Sequence, residues 1–423
     1  MSIQLKKIQE GYLSEPGVFL CGPSICRCTS SLYPGFGEYV MAVDFMDGSD
    51  SSKGICLLRS RDQGETWEKE QFLEKRYICD QKGSVIKSGY GGMYCDEARG
   101  VLIYQGTETY WYKGGFKSIL RCRRLYYRLS YDNGYTWTDK KYIIQQGCDQ
   151  KGIPFDRDHF MEEVTWGVNM ATNIGGVMLP TDDGAFLTGT QMQVVDEEGN
   201  LVEPSGFMFL KAGAWRIFWN EEKEDYDWAF TQWKEVSPQE SARGVYEPHF
   251  VRLSKDRYAM IMRGSNMGFR DTMTGQKFIS VSEDNGKTWS SPRPLTYDDG
   301  SVMYSSSTIP KLLSHSNGKA YFIGMIHDEN PDGNLPRFPL CIAEFDPVKC
   351  AIKKDTVTLL DTERDYHKTQ KEEAKKQKKF VCVDYSNHTV YEDEKGDIVV
   401  LSPFRFDLLK WEGVLNRYII EAK

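Results

Sequence analysis

One eight-residue pattern, S-x-D-x-G-x-T-W, occurs three times in this chain, at residues 60–67, 130–137 and 282–289. Five fixed residues at about one in twenty each arise by chance roughly 3 times in ten million starts, and recurrence at a near-fixed period marks a repeat architecture. Each copy follows a short strand-forming run, at residues 55–58, 125–129 and 278–281. Asp-x-Gly is hairpin-turn chemistry: the Asp carboxylate bonds backbone N–H groups ahead of it, and Gly supplies the positive φ the turn needs. Ser and Thr add side-chain-to-backbone bonds, and Trp brings a large apolar body to bury beside the turn. The copies start 70 and then 152 residues apart, the latter close to two periods of 76, so one unit between Trp137 and Ser282 carries a degenerate copy. Dividing 423 residues by about 70 gives about six units.

The pattern is that of the Asp-box, and through it the chain resembles the sialidase superfamily. The resemblance implies an all-β fold: a six-bladed β-propeller of four-stranded antiparallel blades, formed by residues 1–423 as a single domain. It also implies that the boxes are structural, joining the third and fourth strands of a blade on the side away from the active site. An aromatic content of 13%, with 10 Trp and 24 Tyr, suits both a β-rich core and a sugar site. The net charge of −8 disfavours nucleic acid as a partner, while local arginines can still hold an anionic ligand.

No run approaches the 18 apolar residues of a membrane span, and residues 1–20 contain no apolar signal core, so a cytoplasmic protein without membrane partners is expected. Eleven cysteines without framework spacing read as free thiols. Cys26-Arg27-Cys28 lacks metal-ligand spacing, and no cofactor motif is present.

Residues 1–20 read as an arm or as the strand that closes the ring. Blades are expected at about residues 21–67, 90–144, 158–190, 206–240 and 246–289, with blade six from 331 onward. Residues 361–380 are highly charged and poor in apolar side chains, which reads as an insertion within the last blades.

Six positions match the family's site residue by residue. Arg27 stands for the arginine of an Arg-Ile-Pro motif, although Cys28-Thr29 replaces Ile-Pro. Asp50 takes the place of the acid/base by spacing, with Asp47 second. Glu247, in Tyr246-Glu247-Pro248-His249, precedes a turn and a strand ending in Arg263, and this pair fits a Glu strand followed by the second arginine. Arg337 fits the third arginine, and Tyr385, in Asp384-Tyr385-Ser386, fits the nucleophile. His159 and His249 are alternative proton acceptors.

The resemblance implies an exo-acting glycoside hydrolase that releases terminal sialic acid, or a related acidic sugar, with retention. Three guanidiniums would hold the sugar carboxylate. A neutral tyrosine would attack without the repulsion a carboxylate nucleophile would meet. Glu247 would take the proton of Tyr385, and Asp50 would protonate the leaving oxygen. No metal or cofactor is called for. Two alternatives stay open: a lyase or glycosidase for uronate-containing glycans, with His159, His249 or Tyr385 as base or acid, and a non-catalytic glycan-binding propeller.

Overall fold

The computed structural model describes residues 3–48, 51–79, 81, 83–111, 123–143, 178–194, 196 and 202–422. The strands among them form six antiparallel sheets arranged as a propeller. Blade one is Phe19–Arg27, Tyr39–Gly48, Ser51–Ser60 and Glu68–Lys75. Blade two is Val85–Asp96, Val101–Trp111, Arg123–Ser130 and Lys141–Tyr142, with Tyr77–Ile78 beside its first strand. Blade three is Leu179–Pro180, Phe186–Gln193, Leu210–Asn220 and Asp225–Lys234. Blade four is Tyr246–Ser254, Arg257–Arg263, Lys277–Ser282 and Arg293–Pro294. Blade five is Lys311–Ser314, Ala320–Met325, Leu340–Asp346 and Ala351–Ile352, with Thr358–Asp361 also on its third strand. Blade six is Thr389–Glu392, Ile398–Asp407 and Glu412–Ala422, completed by Ile3–Leu13 from the start of the chain. Ile3 lies opposite Ala422 and Glu10 opposite Asn416, so hydrogen bonds between the two chain ends close the ring.

A strand buried on both faces needs apolar residues at odd and even positions alike, because successive side chains point to opposite sides. Residues 39–43 show this. Tyr39, Met41 and Val43 enter the cluster with Val399, Leu401 and Leu415 of blade six. Val40 and Ala42 enter the cluster with Leu102, Tyr104 and Tyr126 of blade two. Four further apolar clusters occupy the remaining junctions, two–three, three–four, four–five and five–six.

Each box joins the third and fourth strands of its blade and is tied the same way. In the third copy Ser282 Oγ donates to Asp284 Oδ1 (2.8 Å), and the N–H of Gly286 donates to Ser282 Oγ (2.8 Å). The N–H and hydroxyl of Thr288 donate to the two Asp284 oxygens (2.9 and 2.6 Å). The residue before the glycine is also left-handed, with φ of 61° at Gln63, 58° at Asn133 and 60° at Asn285, so the turn places two consecutive residues at positive φ. The degenerate copy lies in blade three. There Glu221–Glu224 replaces the whole box with a short turn in which Asn220 Oδ1 accepts the N–H groups of Glu222 and Lys223.

Two blade expectations are corrected: the strand at 340–346, expected in blade six, lies in blade five, and two expected units are one. The strands assigned to separate units at 158–190 and 206–240 belong to a single sheet, since Phe186 pairs with Ile217 and Gln193 with Leu210. Strand-forming runs announce strands, not which neighbour they pair with. The charged stretch contains a helix, Asp365–Lys376, in the connection from blade five to blade six, with His367 and Ala374 buried and His367 Nε2 2.8 Å from the Arg405 carbonyl. No helix among the described residues is long and apolar enough to cross a membrane.

Candidate functional site

Antiparallel strands alternate in direction, so every 1–2 and 3–4 turn falls on one face of the ring and every 2–3 and 4–1 connection on the other. The boxes mark the first face. The start of a first strand and the end of a second strand mark the second, open face. Glu247 opens the first strand of blade four and Arg263 ends its second.

Glu247 adopts φ +49°, a strained value for a residue with a Cβ, which costs about 1–3 kcal/mol and persists only where the surroundings enforce it. Its N–H donates to Gln191 Oε1 at 2.8 Å, and the pairing with the neighbouring strand slips between Tyr246 and His249. Such a bulge re-aims a side chain. The carboxylate meets Arg263, with Nη1 2.6 Å from Glu247 Oε2. Arg263 also donates from Nε to Ser307 Oγ and from Nη2 to Asn334 Oδ1, both at 3.0 Å. Its guanidinium lies 4.7 Å from the centre of the Tyr246 ring, whose hydroxyl is 2.6 Å from Ser307 Oγ. Both charged groups are buried, at 5% and 8% exposure. Burial opposes the charge on Arg263, and Glu247 outweighs it, so the guanidinium is held more firmly protonated than usual.

Asn334 and Arg337 share the connection between the second and third strands of blade five. Arg337 Nη1 donates to Asp384 Oδ2 at 2.5 Å, and the Tyr385 N–H donates to the Arg337 carbonyl at 3.1 Å. Burial works against an ionised Asp384, but Arg337 and Arg405 prevail and hold its carboxyl at about 2. One loop therefore ties Arg263 of blade four to Asp384 before blade six. Beside it opens a cleft of about 660 Å³, lined among others by Arg270, His327, Asp328, Asp332 and Phe338, within the usual range for small-ligand sites.

A narrow pocket on the propeller axis is lined by Cys21, Asp44, Tyr104, Lys311 and His388. Lys311 Nζ is 3.4 Å from His249 Nε2. Burial lowers Lys311 to about 7, against the pull of Glu247. Burial, then Lys311 and His388, hold His249 well below the ordinary imidazole value.

Three expected residues lie elsewhere. Arg27 ends the first strand of blade one and so falls on the box face, where its Nη2 is 2.9 Å from Glu394, the carboxylate that also accepts from Gln63 of the first box (2.6 Å). It does not join Arg263 and Arg337. Cys21-Gly22-Pro23 stands toward the open-face end of the same strand. Tyr385 is fully buried among the apolar residues between blades five and six, and its hydroxyl donates to the Thr362 carbonyl at 3.0 Å. Burial raises its pKa further, and it shares no hydrogen bond with Glu247. Asp47 is on the open face but paired with Arg76 at 2.7 Å. Although burial opposes it, that partner holds the Asp47 carboxyl below its usual value. Asp50 and His159 lie outside the described residues. Among the described residues, no cluster of three or more His, Cys, Asp or Glu is arranged to hold a metal ion.

Sequence reasoning missed Tyr246, Ser307, Asn334, Asp384 and Lys311. Asp384 carried a signal: a carboxylate directly before the Tyr385-Ser386 pair. So did Lys311, a lysine opening an apolar strand. Ser307 and Asn334 carried none, being loop residues made important by convergence alone.

No curated protein sequence matches this chain. Solved structures do. A protein of unknown function from Dyadobacter fermentans is 13% identical, with each chain covered in full and a TM-score of 0.65. The NanB sialidase of Streptococcus pneumoniae (K499G mutant) is 12% identical over 97% of this chain and 70% of its own, with a TM-score of 0.60. The α-L-arabinofuranosidase Arb93A of Fusarium graminearum is 9% identical over 98% and 97%, with a TM-score of 0.55. At these identities the likeness is one of fold, and it places glycosidases among the structural neighbours. The model of the BNR repeat-like domain family matches residues 50–348, which hold all three boxes. By its repeats, its six blades and this match, the chain belongs to the BNR repeat-like domain family and has a sialidase-like propeller.

Proposed function

We propose that the chain is a glycoside hydrolase acting on a terminal acidic sugar, sialic acid or a uronate, and that Arg263 and Arg337 receive its carboxylate on the open face. The observation that carries this reading is the blade-five loop, which holds Arg263 through Asn334 and Arg337 through Asp384, and whose Leu335, Pro336 and Phe338 line the neighbouring cleft. Arginine forks match a carboxylate geometrically, and a desolvated charge-assisted bond is stronger than a neutral one. Glu247, aimed by its strained backbone, is the proton acceptor. Asp47 is a poor acid because Arg76 keeps it ionised, so the resemblance leaves Asp50 in that role. A tyrosyl intermediate would require Tyr385 to leave Thr362 and the inter-blade core. The reading proposed here does without that bond.

The test is turnover of fluorogenic glycosides of sialic acid, glucuronic acid and arabinose, with parent and Arg263→Lys. Turnover confined to the acidic sugars, and a rise in KM of about 10- to 100-fold in the variant, is expected from losing a charged bond worth roughly 1.5–3 kcal/mol. Turnover of the arabinoside alone, or of none, refutes the reading. One observation favours a second reading. His249 and Lys311 together place a neutral base on the axis near pH 7, which suits proton abstraction beside a neutralised uronate carboxylate. Appearance of unsaturated uronate absorbance with an acidic polysaccharide would select it.

A further inference from the structure

Arg405 lies near the open-face end of the second strand of blade six, where the chain turns back through Trp411. Its guanidinium is 3.9 Å from the centre of the Phe19 ring and 4.2 Å from that of Trp411, in a corner where the two rings meet edge to face at 6.4 Å. Aromatic faces attract a cation, but they satisfy none of its N–H groups. Arg405 is only 8% exposed, its Nε is buried without a hydrogen-bond partner, and no carboxylate of the described residues lies within ion-pair distance. A guanidinium in that state is costly unless something else completes it. On this face Arg263 is completed by Glu247 and Arg337 by Asp384, whereas Arg243, half-buried in the connection from blade three to blade four, shares with Arg405 a buried Nε without a partner. Asp384, close enough for Arg405 to favour its ionised form, accepts its hydrogen bonds from Arg337 and Ser386.

We propose that Arg405 is an anion-binding residue of the open-face site, taking the sugar carboxylate together with Arg337 from the blade-six side, where blade one offers Cys21 and Arg27 has gone to the far face. The proposal rests on the acidic-sugar reading above. It adds a cation that no motif of the sequence announced, and it moves the centre of the site from the axis toward the junction of blades five, six and one. Three guanidiniums (Arg263, Arg337, Arg405) then stand near two carboxylates (Glu247, Asp384).

Calorimetric titration with free N-acetylneuraminic acid and glucuronic acid, and with the methyl ester of each, tests this on the parent, Arg405→Gln, Arg405→Lys and Arg263→Lys. The expected result is a loss of about 10- to 100-fold in affinity for the acids in Arg405→Gln, a smaller loss in Arg405→Lys, and no change for the esters. A merely structural arginine would affect acid and ester alike. If Arg405→Gln does not fold, Arg405→Lys, which keeps a cation in the aromatic corner, carries the comparison. Acid binding lost in Arg263→Lys but unchanged in both Arg405 variants overturns this inference and leaves the proposed function standing. Failure of the parent to bind either acid overturns both.

Discussion

Lys311 opens the inner strand of blade five, 3% exposed on the propeller axis, and replacing it by Met keeps its length while removing its charge. Burial takes its pKa from 10.5 to about 7. At ~1.36 kcal/mol per pH unit, that gap corresponds to about 5 kcal/mol. The sign follows from proton counts. Between pH 7 and 10.5 the unfolded chain holds a proton that the native state has released, so unfolding free energy rises with pH. Below pH 7 both states hold it, and the full cost of burying the ammonium is present. Lys311→Met is therefore more stable than the parent near pH 7, by up to about 5 kcal/mol less whatever the contacts with His249 and Glu247 return. This advantage shrinks by roughly 1 kcal/mol per unit toward pH 10. The groups facing Lys311 (Glu247, His249, His388 and Cys21) are common to both proteins, and both histidines are held below their ordinary range, outside this window. Denaturant unfolding at pH 7, 8, 9 and 10 gives the difference directly. Parallel stability profiles for parent and variant would refute the reasoning.

Glu247→Gln removes one charge of a buried pair and leaves Arg263 uncompensated, so urea unfolding is expected to show a loss of about 3 kcal/mol at neutral pH, together with a fall in kcat. Asp284→Asn removes the oxygen that accepts the Thr288 hydroxyl, and with it the charge that strengthens the other ties of the third box, and is expected to cost about 1–2 kcal/mol. The side-chain and backbone bonds from Thr288 and Ser282 depress the Asp284 pKa despite its partial burial. Its contribution is thus present above 3.8 and lost as pH falls through the native value, so acid titration of parent and variant should converge. Tyr385→Phe forfeits the bond to Thr362, about 1 kcal/mol, and leaves kcat within about twofold; a loss of several orders of magnitude would restore the tyrosyl route. Arg27→Ala leaves KM unchanged for any acidic substrate, since the side chain lies on the box face.

How much was legible divides along a physical line. A box is local: eight residues contain its donors, acceptors, glycine and plug, so Ser282, Asp284 and Thr288 announced their geometry in order. Blade number followed from their spacing, and the start of the chain, read as an arm or as the closing strand, is the latter. Pairing across long connections did not follow, which is why one blade was read as two. The site is less local still. Glu247 and Arg263 were readable because one hairpin joins them. Arg337 was readable as a loop arginine but not its partner Asp384, 47 residues away. Arg27 misled because the motif names a residue type, whereas the face of the ring is set by position along the strand, and Arg27 ends a nine-residue strand whose start marks the open face.

That placement also bears on Tyr385. In the expected arrangement an arginine of blade one, the Glu247–Arg263 pair and a tyrosine before blade six surround the axis. Here blade one contributes Cys21 to the axial pocket, and Lys311, His249 and His388 occupy the axis. A sugar carboxylate placed over the axis would meet Lys311 as its cation; placed over the five–six–one junction it would meet Arg337 and Arg405. In the second position the acid does not stand over the axis, and the reading requires no attack by the buried Tyr385. Binding measured through Arg405 and turnover measured through Tyr385 are thus linked. If Arg405 holds the acid, Tyr385→Phe must be active; if Tyr385→Phe is dead, the acid sits on the axis and Arg405 must be dispensable.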